Sequence, residues 1–116
     1  MQMITKPQNA EIFEVEGATV PFYKYTIGDI EYIEFDTSKC GPPEPMVNAM
    51  TALKYLKDKN TKVVMINHKK PMGLIEKIEE NYDIEIIKND KIVQLIFSYK
   101  EGKTEQADLN QQSCHG

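Results

Sequence analysis

The stretch Val63-Val64-Met65-Ile66 decides how the rest of the chain is interpreted. All four side chains are apolar, and a strand that is apolar on both faces is typical of the middle of a sheet covered on both sides. A helical pattern precedes this stretch and another follows it. The sequence therefore predicts a central strand that is joined to the preceding strand through a helix and runs parallel to it.

Two helices are predicted on either side of this strand, over residues 43–58 and 71–82. In the first, apolar residues recur every three or four positions, which places them on one face. They are Met46, Ala49, Met50, Leu53 and Leu56. Prolines begin both segments, and proline is tolerated in the first turn, where its missing N–H would have no partner.

Strands account for the remaining apolar segments. Ile30–Asp36 follows the turn signal Gly28-Asp29 and is predicted as a strand, and two runs within 84–99 flank Asn89-Asp90 as in an antiparallel hairpin. Alternating segments at 11–15 and 20–27 predict an extra N-terminal strand pair. From residue 30 the order is β-α-β-α-β-β, so we predict an α+β fold, a two-layer α/β sandwich with both helices on one face of a mixed sheet. The side chains expected between the layers are Met50, Leu53, Val64, Ile66, Ile78 and Phe97.

The predicted organisation has three parts. Residues 1–29 form a strand extension whose first ten residues are a loose lead-in, and residues 30–100 form the α/β domain. Residues 101–116 contain one large apolar side chain before the final Ser-Cys-His-Gly, so a flexible tail is expected there.

Composition excludes several classes of function. The 116 residues carry 14 Lys, no Arg and 18 acids, for a net charge of −4, which argues against nucleic-acid binding. No apolar run approaches the ~18 residues of a membrane span, and the N-terminus lacks the apolar core of a signal peptide. We therefore expect a cytoplasmic protein with reduced thiols. Without a Ser-His-Asp order, a Gly-rich phosphate loop or a His-Glu-x-x-His motif, a complete active site is not predicted either.

The candidate site lies where two parallel strands end. The carboxyl ends of neighbouring parallel strands meet at one edge of a sheet, so the segments Asp36–Cys40 and His68–Lys70 are expected there together. Cys40 and His68 could form a thiolate–imidazolium pair or half of a transition-metal site. Equally, Cys40 could be an inert structural thiol and His68 a helix cap. Cys114-His115 in the tail offers either a second reactive thiol or an incidental one.

The strand–loop–helix junction resembles the TusA/SirA-type sulfur-carrier family. In that family a strand ending in Asp, here Asp36, precedes a Cys-Pro-x-Pro helix start; here Pro43-Glu44-Pro45 supplies the Pro-x-Pro. A sister group of uncharacterised domains is closer still, because it has Pro-Pro instead of the cysteine and a His-x-x-Pro-x-x-Leu segment, matched by His68–Leu74. The resemblance covers about residues 30–99.

This resemblance implies a small accessory protein that acts in sulfur transfer or redox chemistry, as a persulfide carrier or as a binding module. Cys40 lies two residues before the carriers' cysteine position, which is Pro42 here, so persulfide chemistry does not carry over directly. The ligand-binding residues would be Asp36, Pro43, Glu44, Lys69 and Lys70. The alternative is a non-catalytic ligand- or metal-binding domain that docks with or regulates a partner. The expected partner is a sulfur-transfer or redox enzyme, and the N-terminal strands also offer a surface for a homodimer.

Overall fold

A computed structural model describes residues 3–100 and confirms the predicted α+β fold. One six-stranded sheet has the order β1-β2-β3-β4-β6-β5. The strands are β1 (Glu11–Phe13), β2 (Phe22–Ile27), β3 (Ile30–Asp36), β4 (Thr61–Asn67), β5 (Tyr82–Lys88) and β6 (Val93–Tyr99). The helices are α1 (Glu44–Leu53) and α2 (Met72–Ile78). The predicted tail, with Cys114 and His115, lies outside the described residues.

The topology brings two strand ends together at one edge of the sheet. β3 and β4 are parallel neighbours joined through α1, as predicted, and Asp36 pairs with Ile66 at their carboxyl ends. The other neighbouring strands are antiparallel, including the predicted N-terminal pair β1–β2. The loops that leave β3 and β4 therefore emerge side by side.

Both helices pack on one face of the sheet, which we call the helical face. Leu53 and Ile78 bring the two helices into a single apolar cluster with alternate residues of the strands. The strand members of this cluster that are 0% exposed are Phe35, Val63, Met65, Leu95 and Phe97. The predicted burial of Leu53, Ile78 and Phe97 between the layers is confirmed.

Val64 and Ile66 do not lie between the layers. Side chains alternate along a strand, and Val63 and Met65 occupy the helical face, so their neighbours point to the opposite face. Val64 is nevertheless fully buried there, whereas Ile66 is only half-buried. Met50 packs against the cluster between the layers, as predicted, but it is half-buried rather than buried. A strand that is apolar on both faces cannot show by its sequence which residues meet the helices.

Both helices are shorter than predicted. After Leu53 the backbone tightens, because the amides of Lys54, Tyr55 and Leu56 each bond to a carbonyl three residues earlier. Leu56 remains fully buried in this turn. The second helix ends at Ile78, and Tyr82 begins β5 on the helical face rather than ending the helix.

Residues 3–7 belong to the segment expected as a loose lead-in, but they contact the sheet. Residues 3–7, which we call the lead, lie on the face opposite the helices, which we call the second face. There the backbone of Ile4 bonds to the side chain of Gln94, and the Lys6 ammonium lies over the Tyr23 ring. Nothing in the pattern of the lead signals this packing. Across residues 3–100, the helices are too short or too polar to traverse a bilayer.

Candidate functional site

A cleft opens at the sheet edge where β3 and β4 end, between the first turns of α1 and α2. Its volume is about 620 Å³, within the range of about 300–1,000 Å³ that is usual for ligand-binding pockets. The residues that line it are Pro42, Pro43, Pro45, Met46, Asn67, His68, Lys69, Lys70, Pro71, Met72, Gly73 and Leu74. We refer to this site as the cleft.

The walls of the cleft are apolar and its rim is basic. Prolines and methionines from both helix starts form the walls, and the Met46 and Met72 side chains remain 36% and 49% exposed. Lys69 and Lys70 stand on the rim beside His68, all three exposed. Among the described residues that line the cleft, none is acidic. In a chain of net charge −4, this is a local concentration of positive charge.

A buried hydrogen-bond chain holds the basic loop in place. The Thr37 hydroxyl donates to Oδ1 of Asn67 at 2.9 Å, and Nδ2 of Asn67 donates to the Lys69 carbonyl at 2.9 Å. Thr37 and Asn67 are 0% and 2% exposed, so the bond between their side chains is shielded from water, while the bond to the Lys69 carbonyl is partly buried. The chain links the end of β3 to the loop after β4 and fixes the backbone that carries the rim.

The start of α1 contributes shape rather than hydrogen-bond donors. Pro43 and Pro45 lack N–H groups, and the Glu44 amide is already bonded to the Gly41 carbonyl. A helix start usually offers free amides to an anion, but here most are missing or used. An anionic ligand in the cleft would therefore gain little from the amides of α1, whereas the side chains of Lys69 and Lys70 stand at the rim.

Asn48 anchors the first turns of α1 to the N-terminal part of the chain. Its side chain is 0% exposed and makes three hydrogen bonds of 2.8 Å. It accepts from the Thr19 amide and donates to the Thr19 hydroxyl and to the Glu44 carbonyl. The Thr19 hydroxyl in turn donates to the Glu44 carboxylate. These bonds tie the proline-rich wall of the cleft to the loop before β2.

Cys40 lies in an acidic environment and does not line the cleft. Burial raises the pKa of its thiol, and the Glu44 carboxylate, by its charge and its hydrogen bond, together with the charge of Asp36, raises it further. Each effect favours the protonated thiol, which is a poor nucleophile. Asp36 itself accepts a hydrogen bond from the Ser38 amide and so caps the turn before Cys40.

The structure thus divides the predicted site residues into two groups. Pro43, His68, Lys69 and Lys70 share the cleft. The other group contains Cys40 and the two carboxylates that act on its thiol, Asp36 and Glu44. Within residues 3–100, no group of three or more His, Cys, Asp or Glu side chains is placed to hold a metal ion.

Sequence reasoning missed the apolar part of the site. Met46 was assigned to the buried stripe of the helix, but it stands at the cleft with Pro45 and Met72. A signal was available, because prolines and a methionine follow one another at both helix starts. Comparison with family models, curated proteins and solved structures finds no match to this chain.

Proposed function

We propose that this protein is a non-catalytic accessory module of the cytoplasm that docks with a partner protein through the cleft. The occupant is an apolar segment of the partner that carries carboxylate side chains. The observation that carries the proposal is the cleft itself, with its proline and methionine walls and its rim of Lys69 and Lys70.

The chemistry of the lining supports an occupant that is both apolar and acidic. Methionine side chains are flexible and polarisable, so Met46 and Met72 can adapt to the side chains of a docked segment. The lysines on the rim would pair with carboxylates at its flanks and speed its association. Because the whole chain carries a net charge of −4, most of its surface repels carboxylates. An acidic segment should therefore bind only at the basic rim of the cleft.

Charge reversal at the rim tests this proposal. The probe is a fluorescein-labelled peptide in which two leucines are flanked by aspartates, titrated into the full chain and followed by anisotropy. We expect Lys69→Glu/Lys70→Glu to weaken binding at least tenfold, and added salt to weaken binding to the unchanged chain.

The matched control is Lys57→Glu/Lys59→Glu. It makes the same change in net charge at exposed positions before β4, at the opposite edge of the sheet. This control should bind within about twofold of the parent. Equal losses in both double variants would show a general charge effect and contradict docking in the cleft. A peptide with lysine in place of aspartate should not bind, and a free fatty acid that binds more tightly than the peptide would point to a small ligand instead.

A TusA-like sulfur carrier is the second candidate, because Cys40 lies in the loop between β3 and α1, where the resemblance places the carrier chemistry. Its test is the intact mass of the protein after incubation with a cysteine desulfurase and cysteine, with and without reductant. A reducible gain in mass that Cys40→Ser abolishes would favour the carrier. No gain in the parent, or an unchanged gain in both Cys40→Ser and Cys114→Ser, would contradict the carrier and favour the docking module.

The raised thiol pKa gives a kinetic prediction for Cys40. In a Cys114→Ser background, iodoacetamide should modify Cys40 more slowly at pH 7 than it modifies a free cysteine peptide, because less thiolate is present. Glu44→Gln removes the nearest negative charge, lowers the thiol pKa and should increase the rate several-fold. The exposed Glu76→Gln variant of α2 is the control and should leave the rate unchanged. A rate in the parent that matches the free peptide would contradict this account of Cys40.

A further inference from the structure

On the second face of the sheet, which the helices do not cover, a row of residues runs across four neighbouring strands. By strand register, Tyr23 lies opposite Glu34, Glu34 opposite Val64, and Val64 opposite Ile96. The last three are 6%, 0% and 5% exposed, although both helices are on the other face. The lead lies on this face, where it contacts Gln94 and Tyr23.

Gln94 binds the backbone of the lead. Its side chain is 1% exposed, and it accepts from the Ile4 amide and donates to the Ile4 carbonyl, both at 2.8 Å. A neighbouring β-strand would offer the Ile4 backbone the same pair of groups, one carbonyl acceptor and one N–H donor. Here the amide side chain of Gln94 supplies both. A buried amide that lost these two bonds would pay a desolvation cost. The second face therefore contains a group suited to an extended chain.

A second contact receives the ammonium group of Lys6. Its Nζ lies 3.8 Å from the centroid of the Tyr23 ring, a distance typical of cation–π contacts. Glu34 is directly opposite Tyr23 and carries a buried carboxylate, which accepts a 2.7 Å hydrogen bond from the Tyr25 hydroxyl. The positive charge of Lys6 also interacts favourably with the charge of Glu34.

Together these contacts define what the surface selects. Ile4 and Lys6 are two residues apart, which puts their side chains on the same side of an extended segment. Gln94 belongs to β6 and Tyr23 to β2, with β4 and β3 between them. The lead therefore crosses the sheet, and the surface selects an extended segment with a lysine two residues after the residue bound by Gln94.

We propose that the second face is a docking site for the lead of a second copy of this chain, which replaces the protein's own lead by exchange. The lead itself shows that this occupant fits. It is joined to β1 by a short turn, in which the Ala10 amide bonds to the Pro7 carbonyl and Gln8 and Asn9 are exposed. Opening this turn would allow the lead to reach a neighbour, and such exchange is a low-cost route to a dimer.

The protein's own lead competes with exchange, because a short tether keeps it at an effective concentration on the order of millimolar. A free peptide should therefore bind weakly to the parent and better to a chain whose own lead is weakened. Lys6→Gln weakens the lead at its cation–π contact and leaves the bonds of Gln94 intact.

The test uses a fluorescent peptide with the sequence of residues 1–8, titrated into full-length chains. We expect it to bind Lys6→Gln at least threefold more tightly than the parent, and to lose binding when Tyr23→Leu is added. A peptide with glutamine in place of its lysine should not bind. Equal affinity for the parent and Lys6→Gln, or binding that survives Tyr23→Leu, would overturn the docking site. Circular dichroism of each variant shows whether it is folded.

Exchange is measured separately by analytical ultracentrifugation of the parent up to millimolar concentration. We expect a dimer that grows with concentration and is reduced in Lys6→Gln. Deletion of Gln8 and Asn9, which shortens the turn, should increase the dimer at every concentration. A parent and a deletion variant that both stay monomeric throughout would overturn the exchange.

Discussion

Replacing Leu53 by alanine is expected to destabilise the protein by roughly 2–5 kcal/mol, as large-to-small changes in a packed core do. Leu53 is 0% exposed and belongs to the cluster that joins both helices to the sheet. Truncation removes apolar contacts and leaves a cavity that the surrounding strands can fill only in part. The free energy of unfolding from urea denaturation is the measurement.

Val47→Ala provides the matched control in the same helix. Val47 is 40% exposed, so its truncation should change the free energy of unfolding by no more than about 0.5 kcal/mol. If Leu53→Ala cost no more than Val47→Ala, the helix would not pack on the sheet through this face.

The second large effect is expected at Asn48. Asn48→Ala removes three hydrogen bonds, and the Thr19 amide loses the side-chain oxygen that accepts from it, so we expect a loss of roughly 1–3 kcal/mol. Because Glu44 begins α1, the loss should also loosen the proline-rich wall of the cleft.

Asn60→Ala is the control for Asn48→Ala, since Asn60 is exposed and precedes β4 at the opposite edge of the sheet. It should have little effect on the unfolding midpoint. Hydrogen exchange adds a local readout, with faster exchange expected at the Val47 amide, which bonds to the Pro43 carbonyl. Unchanged stability in Asn48→Ala would mean that α1 is anchored elsewhere.

The fold could be predicted from the sequence because the spacing of apolar residues distinguishes the helices from the strands. Apolar residues at helical spacing, as at Leu53, and the apolar run at 63–66 predict the crossover between β3 and β4. The run does not show which side chains meet the helices, because successive side chains point to opposite faces of the sheet and all four are apolar. That is why Val64 and Ile66 were placed on the wrong face.

The candidate site was predictable only in part. Parallel strand ends must meet, so the edge that carries Lys69 and Lys70 could be found from topology alone. The surroundings of Cys40 could not, because the approach of Glu44 depends on how the proline-rich loop turns. The lead was also missed, because its contacts with Gln94 and Tyr23 join residues far apart in the chain and leave no periodic pattern.

The most direct test of docking in the cleft is an NMR titration of the isotope-labelled full chain with the aspartate-flanked leucine peptide. The account predicts that the largest amide shifts fall at Met46 and at residues 68–74, which line the cleft. Shifts that are largest on β2 and β3, or no saturable shifts at millimolar peptide, would contradict it.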